Sequence, residues 1–137
     1  MEKANLFKGN GLICANCSKD LFENPELSIA VILRNKNGDF MDVYTCCKGE
    51  CDKKLLLTRR KKDYIDGWND ITDFTNPVLY LKQTMAFINK LQDGTKFTEE
   101  AFEQYKNILL QCSPYVMRNP SKTEEQKVEN WLSMPWV

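Results

Sequence analysis

The chain has 137 residues, with 19 Lys and Arg against 19 Asp and Glu, six cysteines and no histidine. That length fits one domain, or a small module with a helical extension, and it is enough to bury a core. Balanced charge excludes the strongly basic profile of a protein held to nucleic acid by phosphate contacts alone. The missing histidine excludes Ser-His-Asp and Cys-His catalysis and every His-ligated metal centre.

The first residues, Met1 to Gly11, show no apolar core or cleavage site of a signal peptide. The longest apolar run, Ile29 to Leu33, is far too short to cross a bilayer. A cytoplasmic location with no membrane partner is the expectation. In a reducing compartment, clustered cysteines point to metal or redox chemistry before disulfides.

Five of the six cysteines fall in the first half. Cys14-Ala15-Asn16-Cys17 comes first. Ser28 to Leu33 then reads as a strand, Asn35 to Asp39 as a turn, and Phe40 to Thr45 as the returning strand. Cys47-Lys48-Gly49-Glu50-Cys51 follows, 29 residues after the first pair, and a helix is expected to start near Cys51. Two close pairs on either side of a hairpin are what a tetrahedral four-thiolate Zn²⁺ site requires: each short spacing lets two sulfurs converge on one ion, and the hairpin folds the pairs together. Cys46 also stands a chelating distance before Cys51, so the third ligand is Cys47 or Cys46. In an alternating strand Cys47 shares a face with Val43 and Thr45, and Cys46 shares the other with Asp42 and Tyr44. Parity alone does not say which face meets the metal.

Lys53, Lys54, Arg59, Arg60, Lys61 and Lys62 place six cations in ten residues. At 100° per residue they surround the helix rather than form one stripe. Pairs between Arg59 and Asp63 and between Lys62 and Asp66 would make this a solvated helix end, while a phosphate-binding patch is the functional reading. Tyr64 and Trp68 nearby suit either base stacking or a core.

The pattern breaks around Asp66 to Asp70, dividing a cysteine-rich module (residues 1–66) from a region that reads as helical throughout (residues 67–137). Asn76 caps a helix with Pro77 at its first position and an apolar stripe of Val78, Leu81, Met85 and Ile88. Thr98 caps the next, whose stripe is Ala101, Tyr105, Ile108 and Cys112, and Cys112 reads as a core thiol. Pro114 and Pro120 punctuate the chain. Ser121-Lys122-Thr123-Glu124 is a capping box opening a last short helix. Asp66, Asp70 and Asp73 read as turn and capping residues rather than a catalytic cluster. Trp131 and Trp136 lie in an unusually apolar chain end, which either packs on its own domain or anchors a partner protein or a second copy of the chain.

The knuckle at Cys14 and Cys17, the hairpin, and a Cys-x₃-Cys whose last cysteine opens a helix together resemble a treble-clef zinc finger. Thr45 to Leu55 is similar to the signature of the TRASH, MYM and ribosomal L24e-like branch, with Cys47, Cys51 and Leu55 on matching positions. The knuckle has Ala15 and Ser18 where that branch commonly has Pro and Gly. The resemblance covers roughly residues 12 to 63. It implies a Zn²⁺ cofactor and favours Cys47 as third ligand; since the branch includes RNA-binding, metal-handling and protein-binding members, it leaves the task open.

The sequence therefore predicts an α+β fold: an N-terminal treble-clef-like zinc module of knuckle, hairpin and helix, packed on a C-terminal bundle of three to four helices. No catalytic constellation stands out, and a saturated thiolate site offers no open coordination position. The expected function is that of a small zinc-stabilised, non-catalytic adaptor, regulator or inhibitor docking on a larger protein, a profile that fits phage or mobile-element accessory proteins. The alternative is a nucleic-acid-binding zinc-finger regulator using the basic helix 53–62.

Overall fold

A computed structural model describes residues 11–117 and 121–133, apart from the side chains of Val128, Trp131 and Leu132. A tight loop over residues 12–21 comes first, closed by an antiparallel bridge between Ile13 and Asp20. Within it, the Leu21 N–H donates to Leu12 O and the Cys14 N–H to Lys19 O, both at 2.9 Å. Strands β1 (Ser28–Arg34) and β2 (Phe40–Cys47) form the predicted hairpin. Its turn is held by the Asn35 carboxamide oxygen, which accepts from the Asn37 and Asp39 N–H groups at 3.0 Å. Helix α1 (Glu50–Arg59) follows and buries Leu55.

The segment read as a break is a strand. β3 (Ile65–Asp70) pairs antiparallel with β1, giving a three-stranded sheet of order β2-β1-β3. In Ile-Asp-Gly-Trp-Asn-Asp only Ile65 and Trp68 favour a strand, against Gly and three Asp or Asn neighbours, and pairing with the free side of the strongly β-prone β1 outweighs them. Helices α2 (Thr72–Thr75), α3 (Pro77–Gln92), α4 (Glu99–Val116) and α5 (Lys122–Leu132) complete the chain. The fold is thus α+β, with the sheet and cysteine region packed against a helical C-terminal half.

The helix starts obey their caps. The Asn76 side chain accepts from the Val78 and Leu79 N–H groups, and the Thr98 hydroxyl accepts from the Ala101 N–H. Ser121 and Glu124 form the reciprocal capping box, at 2.8 and 3.2 Å. Pro114 lies inside α4 rather than ending it.

Two layers meet at an aromatic core. Ala101, Tyr105, Ile108 and Cys112 form the buried stripe of α4, as the periodicity predicts. Tyr105 stacks on Phe87 with centroids 4.5 Å apart, and Phe40, Phe97 and Phe102 surround the pair. The stripe expected of α3 is corrected. Leu81, Met85 and Ile88 are about half exposed, and the buried residue of α3 is Phe87. An aromatic partner for Tyr105 decided which side of α3 turns inward.

The helical half is fastened to the hairpin beside this core. The Phe40 N–H donates to Lys96 O and the Thr98 N–H to Phe40 O. The Thr98 hydroxyl, while capping α4, also donates to Met41 O at 3.0 Å.

Phe87→Ala should cost about 3–5 kcal/mol in urea unfolding. Leu81→Ala, on the outer side of the same helix, should cost under about 1 kcal/mol. Equal losses would contradict this placement of α3.

Candidate metal centre

Four cysteines converge from three elements. Cys14 and Cys17 come from the 12–21 loop, Cys47 from the end of β2, and Cys51 from the first turn of α1. Their sulfurs all lie within 4.8 Å of one another, and those of Cys17 and Cys47 are 3.8 Å apart. A tetrahedral zinc site with Zn–S bonds of ~2.3 Å has sulfur–sulfur edges of ~3.8 Å, so small shifts of the side chains would seat the ion. The all-thiolate donor set suits Zn²⁺, and Cys14, Cys17, Cys47 and Cys51 would hold it.

Local geometry explains why these sulfurs meet. The Ala15 N–H donates to Thr45 O and the Thr45 hydroxyl donates to Ile13 O, both at 2.9 Å. These bonds dock the knuckle on the outer edge of β2, two residues before Cys47. Ser18 turns the knuckle back with φ of 64°, a left-handed conformation in which glycine is at ease. Gly49, at φ 84° and ψ −121°, turns the chain between Cys47 and Cys51 into α1. An L side chain would be strained there.

Cys47 and Cys46 point to opposite faces. Cys46 pairs with Ile29 in the register and lies fully buried on the face covered by α1. It takes no place in the cluster. Burial, then the nearby Asp52 and the other cysteines, push its thiol up to about 12, which keeps it neutral.

The second layer of donors was not legible as such. The N–H groups of Asn16 and Cys17 approach the Cys14 sulfur at 3.4 Å, and the Asn16 side-chain amide donates to the Cys51 sulfur at 3.3 Å. Burial opposes ionisation of Cys14, but main-chain N–H groups of Cys17, Cys47 and Asn16 outweigh it and bring its pKa to about 6. Burial and the sulfurs of Cys17 and Cys14 push Cys47 up to about 12. The Asn16 amide favours the Cys51 thiolate, yet burial and the same two sulfurs leave its pKa raised. The cluster alone carries one thiolate easily; a dication is what lets it carry more.

The basic run is divided by the structure. α1 ends at Arg59, and Arg60 is extended, so the six cations do not share one helix. Arg59 reaches Asp42 at 3.4 Å and lies over the Tyr44 ring, and Arg60 reaches Asp66 at 3.1 Å. These replace the expected pairs with Asp63 and between Lys62 and Asp66. Lys53 lies 4.0 Å from Glu50, while Lys54, Lys61 and Lys62 form no ion pair among the described residues. Asp66 and Asp70 belong to β3 and Asp73 to α2, so no single helix face carries them. Cys112 is fully buried, as expected of a core thiol. The Trp131 side chain and Trp136 lie outside the described residues.

No protein-family model, curated protein or solved structure matches this sequence. No helix among the described residues is long and apolar enough to cross a membrane.

The purified chain should bind one zinc. Cys47→Ser should lose it, whereas Cys46→Ser should retain it and lose only stability. At pH 7 the metal-free Cys47 and Cys51 hold protons that zinc must displace, so binding should release at least about two protons. Affinity should therefore rise by at least roughly 100-fold per pH unit near neutrality, measurable by competition with a chromophoric chelator. Ser18→Gly should stabilise the zinc-loaded fold by up to about 1 kcal/mol.

Proposed function

We propose that residues 12–63 form a zinc finger of the treble-clef type and that the chain is a non-catalytic protein that docks on another protein. The order of knuckle, antiparallel hairpin and helix supports the first part, with two ligands from the knuckle, one from the end of the hairpin and one from the first turn of the helix. Four thiolates saturate a tetrahedral ion, which leaves no position for an activated water and gives the zinc a structural role.

The observation that carries the docking role is the outer row of α3. Leu81, Met85, Ile88 and Leu91 are 52%, 47%, 47% and 45% exposed. They recur three or four residues apart and so form one continuous apolar row. Single exposed apolar residues are ordinary, but a row of four large ones is the mark of an interaction surface. Balanced overall charge agrees with a protein partner rather than a phosphate backbone.

Immobilised zinc-loaded protein should capture the same protein partner from host lysate with or without nuclease, and at about 0.5 M salt as at low salt. Leu81→Asp with Ile88→Asp should abolish capture while zinc content stays unchanged and cooperative thermal unfolding is retained. Capture lost with nuclease and falling steeply with salt would instead favour phosphate binding through Lys54, Lys61 and Lys62.

A further inference from the structure

We infer that the outer edge of β3 accepts an extended segment of a partner protein, and that the groove beside it takes a lysine or arginine side chain of that segment. This goes beyond the docking role of α3.

Two hydrogen bonds fix which main-chain groups face outward. The Lys48 N–H donates to Leu27 O at 2.9 Å, and the Ile71 N–H donates to Ser28 O at 3.0 Å. Antiparallel alternation carried along both ladders then turns the main chain of Ile65, Gly67 and Asn69 toward β1 and that of Asp66, Trp68 and Asp70 away from it. Among the described residues, these outward groups have no main-chain partner, and of them only the Asp70 N–H meets a side chain, the Asp73 carboxylate. The other edge of the sheet is bonded near both ends, by residues 96–98 at Phe40 and by the knuckle at Thr45. Of the usual guards of an open edge β3 keeps charge, at Asp66 and Asp70, and both are neutralised, by Arg60 and Lys48. It contains neither lysine nor proline, and its pairing with β1 has no bulge.

The side chains define what can lie there. Asp66, Trp68 and Asp70 share a face with Leu33, Val31 and Ile29, the face on which Arg59 of α1 meets Asp42 and Tyr44. α1 leaves the β3 side open. A groove of about 270 Å³ remains, lined by Ile29, Lys48, Asp52 and Trp68. Trp68 is 58% exposed. The cations at hand are taken: Lys48 by Asp70 at 2.8 Å and Arg60 by Asp66 at 3.1 Å. Asp52 is half-buried and has neither an ion pair nor a side-chain hydrogen bond among the described residues. The groove thus joins an open indole face to an unbalanced carboxylate.

A strand added to β3 would lie ~4.8 Å away, with the residue opposite Trp68 on the same face. A lysine or arginine at that place can lay its stem across the indole and carry its charge toward Asp52. An acidic residue there would meet the unbalanced Asp52, since Asp66 and Asp70 are already paired with Arg60 and Lys48. Main-chain bonds would give attachment, and the single basic side chain selectivity.

The test uses the zinc-loaded full chain, ¹⁵N-labelled, and two capped five-residue peptides, Thr-Val-Lys-Val-Thr and the same peptide with Glu in the centre. The Lys peptide should shift the amides of Asp66, Trp68 and Asp70, and the Glu peptide should bind at least about 10-fold more weakly, a difference of roughly 1.4 kcal/mol. Asp52→Asn should reduce that preference to within about 2-fold, and Trp68→Ala should abolish it, each with zinc content unchanged. The Leu81→Asp, Ile88→Asp variant should respond as the parent does, which separates this surface from α3. No response up to about 5 mM, equal binding of both peptides, or shifts confined to α3 would overturn the inference. So would (dT)₁₂ shifting the β3 amides where the peptides do not, or a homodimer that already occupies β3.

Discussion

Thr45 is where the N-terminal half is assembled. Its carbonyl accepts from Ala15 and its hydroxyl donates to Ile13, so one residue holds the knuckle against the edge of β2 through two different groups. Without that contact the cysteine pairs belong to segments that share no main-chain register. With it, Cys14 and Cys17 are carried to within reach of Cys47, and the turn through Gly49 brings Cys51 to the same point. The cost of gathering four sulfurs, which repel one another once ionised, falls on a docking contact that contains no charge. Zinc then converts a weakly populated ionisation state into a structural brace, and its binding energy becomes folding energy for the knuckle.

The helical half depends on an analogous device at the other end of β2. Thr98 caps α4 and bonds to Met41, while Phe40 exchanges main-chain bonds with residues 96 and 98. Metal brace and aromatic core are therefore attached to the same strand, several residues apart. Phe22, just past the knuckle, also stacks on Tyr115 near the end of α4, with centroids 4.3 Å apart. Loss of the metal would be felt in α4 through both routes.

Local signals in the sequence were reliable guides. The hairpin, the two cysteine pairs, the caps at Asn76, Thr98 and Ser121, and the buried stripe of α4 each rest on residues close together in the chain. What depended on distant partners was not legible. β3 rests on pairing with β1 more than on its own residues, of which only Ile65 and Trp68 favour extension. Periodicity marked an apolar row on α3, but an aromatic cluster elsewhere decided that Phe87 rather than Leu81 would be covered. Strand parity separated Cys46 from Cys47, yet only the positions of α1 and the knuckle show that Cys46 is enclosed while Cys47 meets the other sulfurs. The partners of Arg59 and Arg60, Asp42 and Asp66, lie too far along the chain for helical spacing to suggest them.

The sheet has one edge interrupted twice by its own chain and one left without a main-chain partner among the described residues, and this asymmetry sets a valency. A three-stranded sheet with two bare edges could propagate from molecule to molecule into a fibre, since each copy would offer both a donor side and an acceptor side. Here Lys96, Thr98 and Ala15 interrupt the β2 side, so among the described residues β3 offers the longer open edge for pairing. Two copies joined through that edge would be related by a twofold axis and would use up that edge in each. Growth would stop at two. The contacts that hold the knuckle and α4 in place thus also act as chain terminators for any assembly built through the sheet.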